Sequence, residues 1–126
     1  MGMKTTAKYR IEGTESKVVN GRQVYRIYAA KSFSLANGVK VKKFERGGWI
    51  ESESNLAQDG KCWVSGNASV FGNASVFGNA VINGAAKVLD SARVSGNVRV
   101  LELATVCGNA VLNGNEIIYG DARVFA

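Results

Sequence analysis

Histidine and proline are absent from this 126-residue chain, and cysteine occurs only twice. Without histidine, the commonest zinc ligand and the commonest general base at neutral pH are both missing. Cys62 and Cys107 show no metal-ligand spacing and form no disulfide framework; two free thiols fit a reducing compartment. No run of about 18 apolar residues and no charged-then-apolar leader occurs, so neither a membrane span nor a secretory signal is expected. The expected location is the cytoplasm. A Gly-rich phosphate loop and a Ser/Lys pair are also missing, and no two carboxylates approach one another in the repeat, so no catalytic residue, metal ligand or cofactor is assigned.

What is present is glycine at a regular interval. From Cys62 onward the chain reads CWVSGN, ASVFGN, ASVFGN, AVINGA, AKVLDS, ARVSGN, VRVLEL, ATVCGN, AVLNGN, EIIYGD and ARVFA. The third position is aliphatic in all eleven units: Val64, Val70, Val76, Ile82, Val88, Val94, Val100, Val106, Leu112, Ile118 and Val124. An α-helix cannot keep such a repeat on one face, because six steps of about 100° rotate each hit by about 120° from the last. A triangular coil can. Each hexad becomes a short strand whose first and third residues point inward, and Gly-Asn turns the corner in the left-handed backbone region that these residues enter cheaply. Three hexads make one 18-residue coil.

The hexads resemble those of hexapeptide-repeat proteins, and Gly47-Gly48-Trp49-Ile50-Glu51-Ser52-Glu53-Ser54-Asn55-Leu56 before Cys62-Trp63-Val64 resembles the lead-in of bacteriophage and prophage members of that class. The resemblance implies an all-β, left-handed parallel β-helix of about 3.5 coils with an N-terminal β-rich cap. The expected division is 1–55 for the cap and 56–126 for the coil. Enzymes of the class are mostly acyltransferases with a histidine base, which this chain lacks, so a degenerate acyltransferase-like protein is the remotest reading.

Stacking at a spacing of 18 sorts the outward residues into columns. Trp63, Val81, Leu101, Ile117 and Tyr119 form an apolar face expected to lie under the cap or a partner. Phe71, Leu89, Cys107 and Phe125 form a stripe expected to mediate self-association, a homodimer being the simplest case. The unit VRVLEL is expected to widen or bulge its corner, and Asn79, Asn97 and Asn115, nearly repeated by Asn73, Ser91 and Asn109, to form an amide ladder. Glu116, in a slot otherwise held by alanine, should sit near the fraying end or meet a cation. The last coil has no visible cap and is expected to favour pairing with another chain.

The lead-in reads as two hairpins, one turning at Asn20-Gly21 and one at Asn37-Gly38, expected to plug the N-terminal end of the coil. It is also strongly basic. Residues 1–50 hold eleven Lys/Arg against three Glu, a balance of +8 in a chain whose net charge is +6. Lys40, Lys42, Lys43, Arg46, Arg22 and Arg26 are therefore the expected contacts for an anionic partner such as nucleic acid, a nucleotide or an acidic protein surface. Two function classes follow. One is a non-catalytic phage or prophage binding protein, for instance a counter-defence inhibitor that engages a host immune complex such as a CRISPR effector or its nucleotide ligand. The other is a structural or self-assembly module.

Overall fold

The alternating apolar pattern of Tyr9–Ala29 folds back on itself at Asn20-Gly21, both in the left-handed region (φ 51° and 80°), in a computed structural model that describes residues 7–126. This long hairpin consists of β1 (Tyr9–Val19) and β2 (Arg22–Ala29). A short hairpin follows, β3 (Phe33–Ser34) and β4 (Lys40–Val41), its turn closed by Gly38 N donating to Leu35 O. Then come β5 (Arg46–Ile50), a 3₁₀ turn at Glu53–Asn55, and the repeat strands. These are β6 (Trp63–Val64), β7 (Ser69–Val70), β8 (Ser75–Val76), β9 (Val81–Ile82), β10 (Lys87–Val88) and β11 (Arg93–Val94), followed by β12 (Arg99–Val100), β13 (Thr105–Cys107), β14 (Val111–Leu112), β15 (Ile117–Ile118) and β16 (Arg123–Phe125). Residues 1–6 of the expected cap lie outside the described residues.

The repeat strands stack in parallel as three sheets, with pairs such as Lys87↔Thr105 and Val88↔Val106 one 18-residue coil apart. The result is a parallel β-solenoid of about four coils, because β5 and an isolated bridge from Leu56 to Val76 add pairing above the hexads. Both inward residues of each hexad are buried down most of the height: Ala68 and Val70, Ala86 and Val88, Ala104 and Val106 are fully enclosed. Ile118 and Val124 at the lower end are half-buried. Glu116 belongs to that end; it is exposed, and its carboxylate accepts from Gly114 N at 2.9 Å.

Two local expectations are corrected. The VRVLEL corner is regular: Glu102 adopts φ 61° in the place of glycine, and Leu103 N donates to Gly120 O as in any other coil. The irregular corner lies elsewhere, near Gly114, the one repeat glycine that does not adopt a left-handed φ. Nor do the asparagines form an amide ladder among the described residues. Asn73, Asn79, Asn97 and Asn109 work instead through backbone N–H groups that donate to the coil below.

The cap does more than plug an end. β5 pairs antiparallel with β2 and parallel with β7, so a single seven-stranded sheet runs β1-β2-β5-β7-β10-β13-β16 through cap and coil. The expected division at 55/56 therefore coincides with no break in hydrogen bonding. Gly47 and Gly48 make the junction possible by close approach. A Cβ added at Gly48 would stand 2.6 Å from Ala68 O, and one at Gly47 would stand 2.7 Å from Val64 O.

Asn55 closes the first coil. It is completely buried; its Oδ1 accepts from Glu51 N (3.0 Å) and Ser52 N (2.9 Å), while Nδ2 donates to Gly72 O (3.2 Å) and Ala74 O (2.8 Å). Asn55→Leu strands several of these buried groups, and unfolding by denaturant should reveal a loss of about 2–4 kcal/mol. Stability equal to wild type would contradict this role.

Candidate functional site

The basic residues singled out in the cap fall into two sets that behave differently. Arg22 is bound by Glu51: its Nε and Nη2 donate to the carboxylate at 3.1 and 2.7 Å, and Glu51 Oε1 also accepts from Gly72 N at 2.8 Å. The Arg22 hydrogen bond holds the Glu51 carboxyl below its ordinary range. Between Glu12 and Ser16 a bulge in β1 carries Glu15 toward two more arginines. Glu15 lies 3.5 Å from Arg26 Nε and 3.1 Å from Arg46 Nη1. Arg26 additionally donates to Gly47 O at 2.9 Å and stands 4.4 Å from the Trp49 ring centroid. Of the six residues expected to contact an anionic partner, Arg22, Arg26 and Arg46 thus lie against carboxylates of the chain itself, the Arg22 and Arg46 side chains remaining more than half exposed.

Lys40, Lys42 and Lys43 are exposed and make no salt bridge among the described residues. Lys31, which composition alone did not single out, is exposed beside them, since Lys43 N donates to Ser32 Oγ at 3.0 Å. The two segments form one basic edge.

At the tip of that edge, Glu45 N donates to Lys42 O at 2.9 Å and closes a four-residue turn. Its third residue, Phe44, has φ 74°, a region left almost entirely to glycine and asparagine at this turn position. A phenylalanine there costs on the order of 1–3 kcal/mol. The ring gains little packing in return, being 70% exposed. Lys43 Nζ lies 5.1 Å from the ring centroid, and Phe44 rims a hollow of about 190 Å³ with Glu12, Arg26, Tyr28 and Arg46.

The two apolar columns are each covered above and open below. Phe71 is buried in a cluster with Val24 and Trp49, against which Leu89 and Val19 also pack. Asn20 at the tip of the long hairpin accepts from Lys87 Nζ at 3.1 Å. Phe71 is therefore enclosed by its own chain and cannot belong to a surface stripe. Cys107 is half-buried and Phe125 exposed, with a hollow between them and Asp90 and Arg123. On the other face Trp63 and Val81 are buried, Trp63 under an edge-on contact with Phe33 of β3. Leu101 is half-buried, whereas Ile117 and Tyr119 lie open.

One buried polar pair was missed by the sequence reading. Lys8 is enclosed at the upper end, where its Nζ donates to Cys62 O (2.7 Å), Gly60 O (3.2 Å) and Cys62 Sγ (3.4 Å). Burial lowers the Lys8 pKa and raises that of the Cys62 thiol. The arrangement ties β1 to the first coil; nothing in the hexad pattern points to it, since Lys8 precedes the repeat by more than fifty residues. Among the described residues no three His, Cys, Asp or Glu side chains converge, and no helix is long and apolar enough to cross a membrane.

The chain matches no protein-family model and no curated protein.

The two thiols should differ in reactivity. In the native protein a thiol reagent at pH 8 should titrate one group per chain, Cys107, and reach Cys62 only after unfolding. Rapid modification of both in the native state would contradict the burial of Cys62.

Proposed function

We propose that the protein is a non-catalytic binding protein of phage or prophage type, acting in the host cytosol by engaging an anionic partner through the basic edge of its cap. Counter-defence binding to a host immune nucleoprotein, such as a CRISPR effector, or to its nucleotide ligand is the form that fits this reading. The observation that carries it is the contrast within the cap. Three arginines are paired with Glu15 and Glu51, while Lys40, Lys42 and Lys43 are left exposed without ion pairs among the described residues. Exposed like charges repel one another, and an anionic partner that relieves this repulsion gains from it in association. The lead-in resemblance supports the phage context, and the missing histidine supports a binding role over acyl transfer.

Binding of a labelled oligonucleotide, followed by fluorescence anisotropy, tests this. About three phosphate contacts to a single strand give a log–log salt slope near −2, or roughly a twentyfold loss of affinity between about 50 and 200 mM salt. The triple variant Lys40→Glu, Lys42→Glu, Lys43→Glu should abolish binding without changing thermal stability. Binding that is indifferent to salt and to these substitutions would overturn the proposal.

A second reading, self-association, rests on the open lower parts of both columns, where Ile117, Tyr119 and Phe125 are exposed. Solution mass should then be that of a dimer for the wild type and of one chain for Ile117→Glu with Phe125→Glu. A wild-type mass of one chain would dismiss it.

A further inference from the structure

We propose that Phe44 is a base-stacking residue, and that the partner of the basic edge is single-stranded nucleic acid. The inference rests on the anion-binding reading above and adds to it the class of ligand and the residue that distinguishes a nucleic acid from any other polyanion.

The starting point is a backbone conformation that the sequence of the turn does not favour. A glycine at position 44 would adopt φ 74° freely. Phenylalanine is held there because every backbone N–H of the turn is committed. Lys42 N donates to Glu45 Oε1 (3.0 Å), Lys43 N to Ser32 Oγ (3.0 Å), Phe44 N to Ala29 O (2.8 Å) and Glu45 N to Lys42 O (2.9 Å). The turn is thus rigid, and it projects a large apolar ring into solvent at 70% exposure. Backbone strain at a ring that the fold does not bury is a cost the folded chain does not recover, and it points to a contact made outside it.

The surroundings select the kind of contact. Lys42 and Lys43 adjoin the ring in sequence, Lys43 Nζ is 5.1 Å from its centroid, and Lys31 and Lys40 lie on the same edge. An aromatic platform among several unpaired cations is the combination that binds single strands, the ring taking a base and the cations taking the flanking phosphates. On the inner side, Glu12, Tyr28, Arg26 and Arg46 line the hollow beside Phe44, the two arginines lying against Glu15. A base edge that reaches the hollow meets the Glu12 carboxylate, which accepts from a ring N–H such as that of thymine. The ring stands free on an open turn rather than in an enclosing cleft, which favours a strand gripped at several phosphates over a single nucleotide.

The test uses the full chain and two labelled probes of equal charge, a twelve-residue oligothymidylate and the matching abasic strand. Wild type should bind the thymidylate about 5- to 150-fold more tightly than the abasic strand, the range for loss of one stacked base. Phe44→Gly should bring the two affinities together at the abasic level while leaving the melting temperature unchanged or higher, because the strain is relieved. Phe44→Trp should keep the preference, and the emission of the introduced indole should be quenched by the thymidylate and not by the abasic strand.

Salt-dependent binding in which wild type and Phe44→Gly treat both probes alike would overturn the stacking role and leave the anion-binding reading standing. Binding of neither probe would overturn both. Tighter binding of a duplex of the same length, or a marked fall in melting temperature for Phe44→Gly, would also reject the assignment, the first for the ligand class and the second because Phe44 would then be structural.

Discussion

From Lys61 to Asn109, backbone amides donate to the carbonyl seventeen residues further on: Lys61 to Gly78, Ser69 to Ala86, Lys87 to Ala104, Asn109 to Ala126. This ladder between coils is the constraint on which the molecule depends. It fixes each coil at three hexads, and a residue inserted within a strand would turn the inward side chains that follow it in that strand outward. It also requires a left-handed residue at nearly every corner. Where the corner lacks glycine, at Asp90 and Glu102, φ is 61° and the side chain compensates: their carboxylates accept from Gly108 N (2.9 Å) and Gly120 N (2.7 Å) in the next coil. A hydrogen bond to a charged group, about 1.5–3 kcal/mol, offsets the strain of a non-glycine corner.

The same ladder shows how the cap is attached. In the first coil the spacing is nineteen, with Trp49 N donating to Ala68 O, Glu51 N to Val70 O and Ala57 N to Val76 O, and it returns to seventeen at Lys61. The two extra residues lie between Ala57 and Lys61, and Gln58 within them reaches the cap. Its Oε1 accepts from Lys8 N (2.8 Å) and Tyr9 N (3.2 Å), and its Nε2 donates to Tyr9 O (3.1 Å), so one side-chain amide pairs with the start of β1 as a strand would. Tyr9 Oη donates to Leu56 O, and Lys8 Nζ bonds Cys62 O below it. The upper end is sealed by these polar contacts together with the apolar cluster.

The sequence made the repeat legible because the hexad acts on every unit alike: Val64 through Val106 point inward as their positions predict, and Asn20-Gly21 and Asn37-Gly38 turn where their residue types predict. What escaped it depends on contacts between segments far apart in the chain. Phe71 and Leu89 sit at outward positions, but the long hairpin folds over them, and no periodicity reveals where a hairpin tip will land. Arg22, Arg26 and Arg46 look like a basic patch in a linear count, yet the β1 bulge delivers Glu15 to two of them and the first coil delivers Glu51 to the third. The importance of Phe44 was similarly invisible, since a left-handed φ at a phenylalanine is imposed by its neighbours' hydrogen bonds and not by its own preference. The glycine pair of the lead-in was visible as a motif, and its reason, the close approach of β5 to Val64 and Ala68, required the fold.

β1, β2 and β5 of the cap continue one sheet of the solenoid, and the strained turn hangs from that sheet through Phe44 N donating to Ala29 O, so the turn is held on the framework of the coils. Residue-resolved native-state amide exchange addresses this continuity most directly. A continuous sheet predicts that amides of β2, β5, β7 and β10 share one opening free energy, equal to that of global unfolding. If β2 and β5 exchange through a separate opening of much lower free energy, the cap is an independent appendage and the claim is wrong.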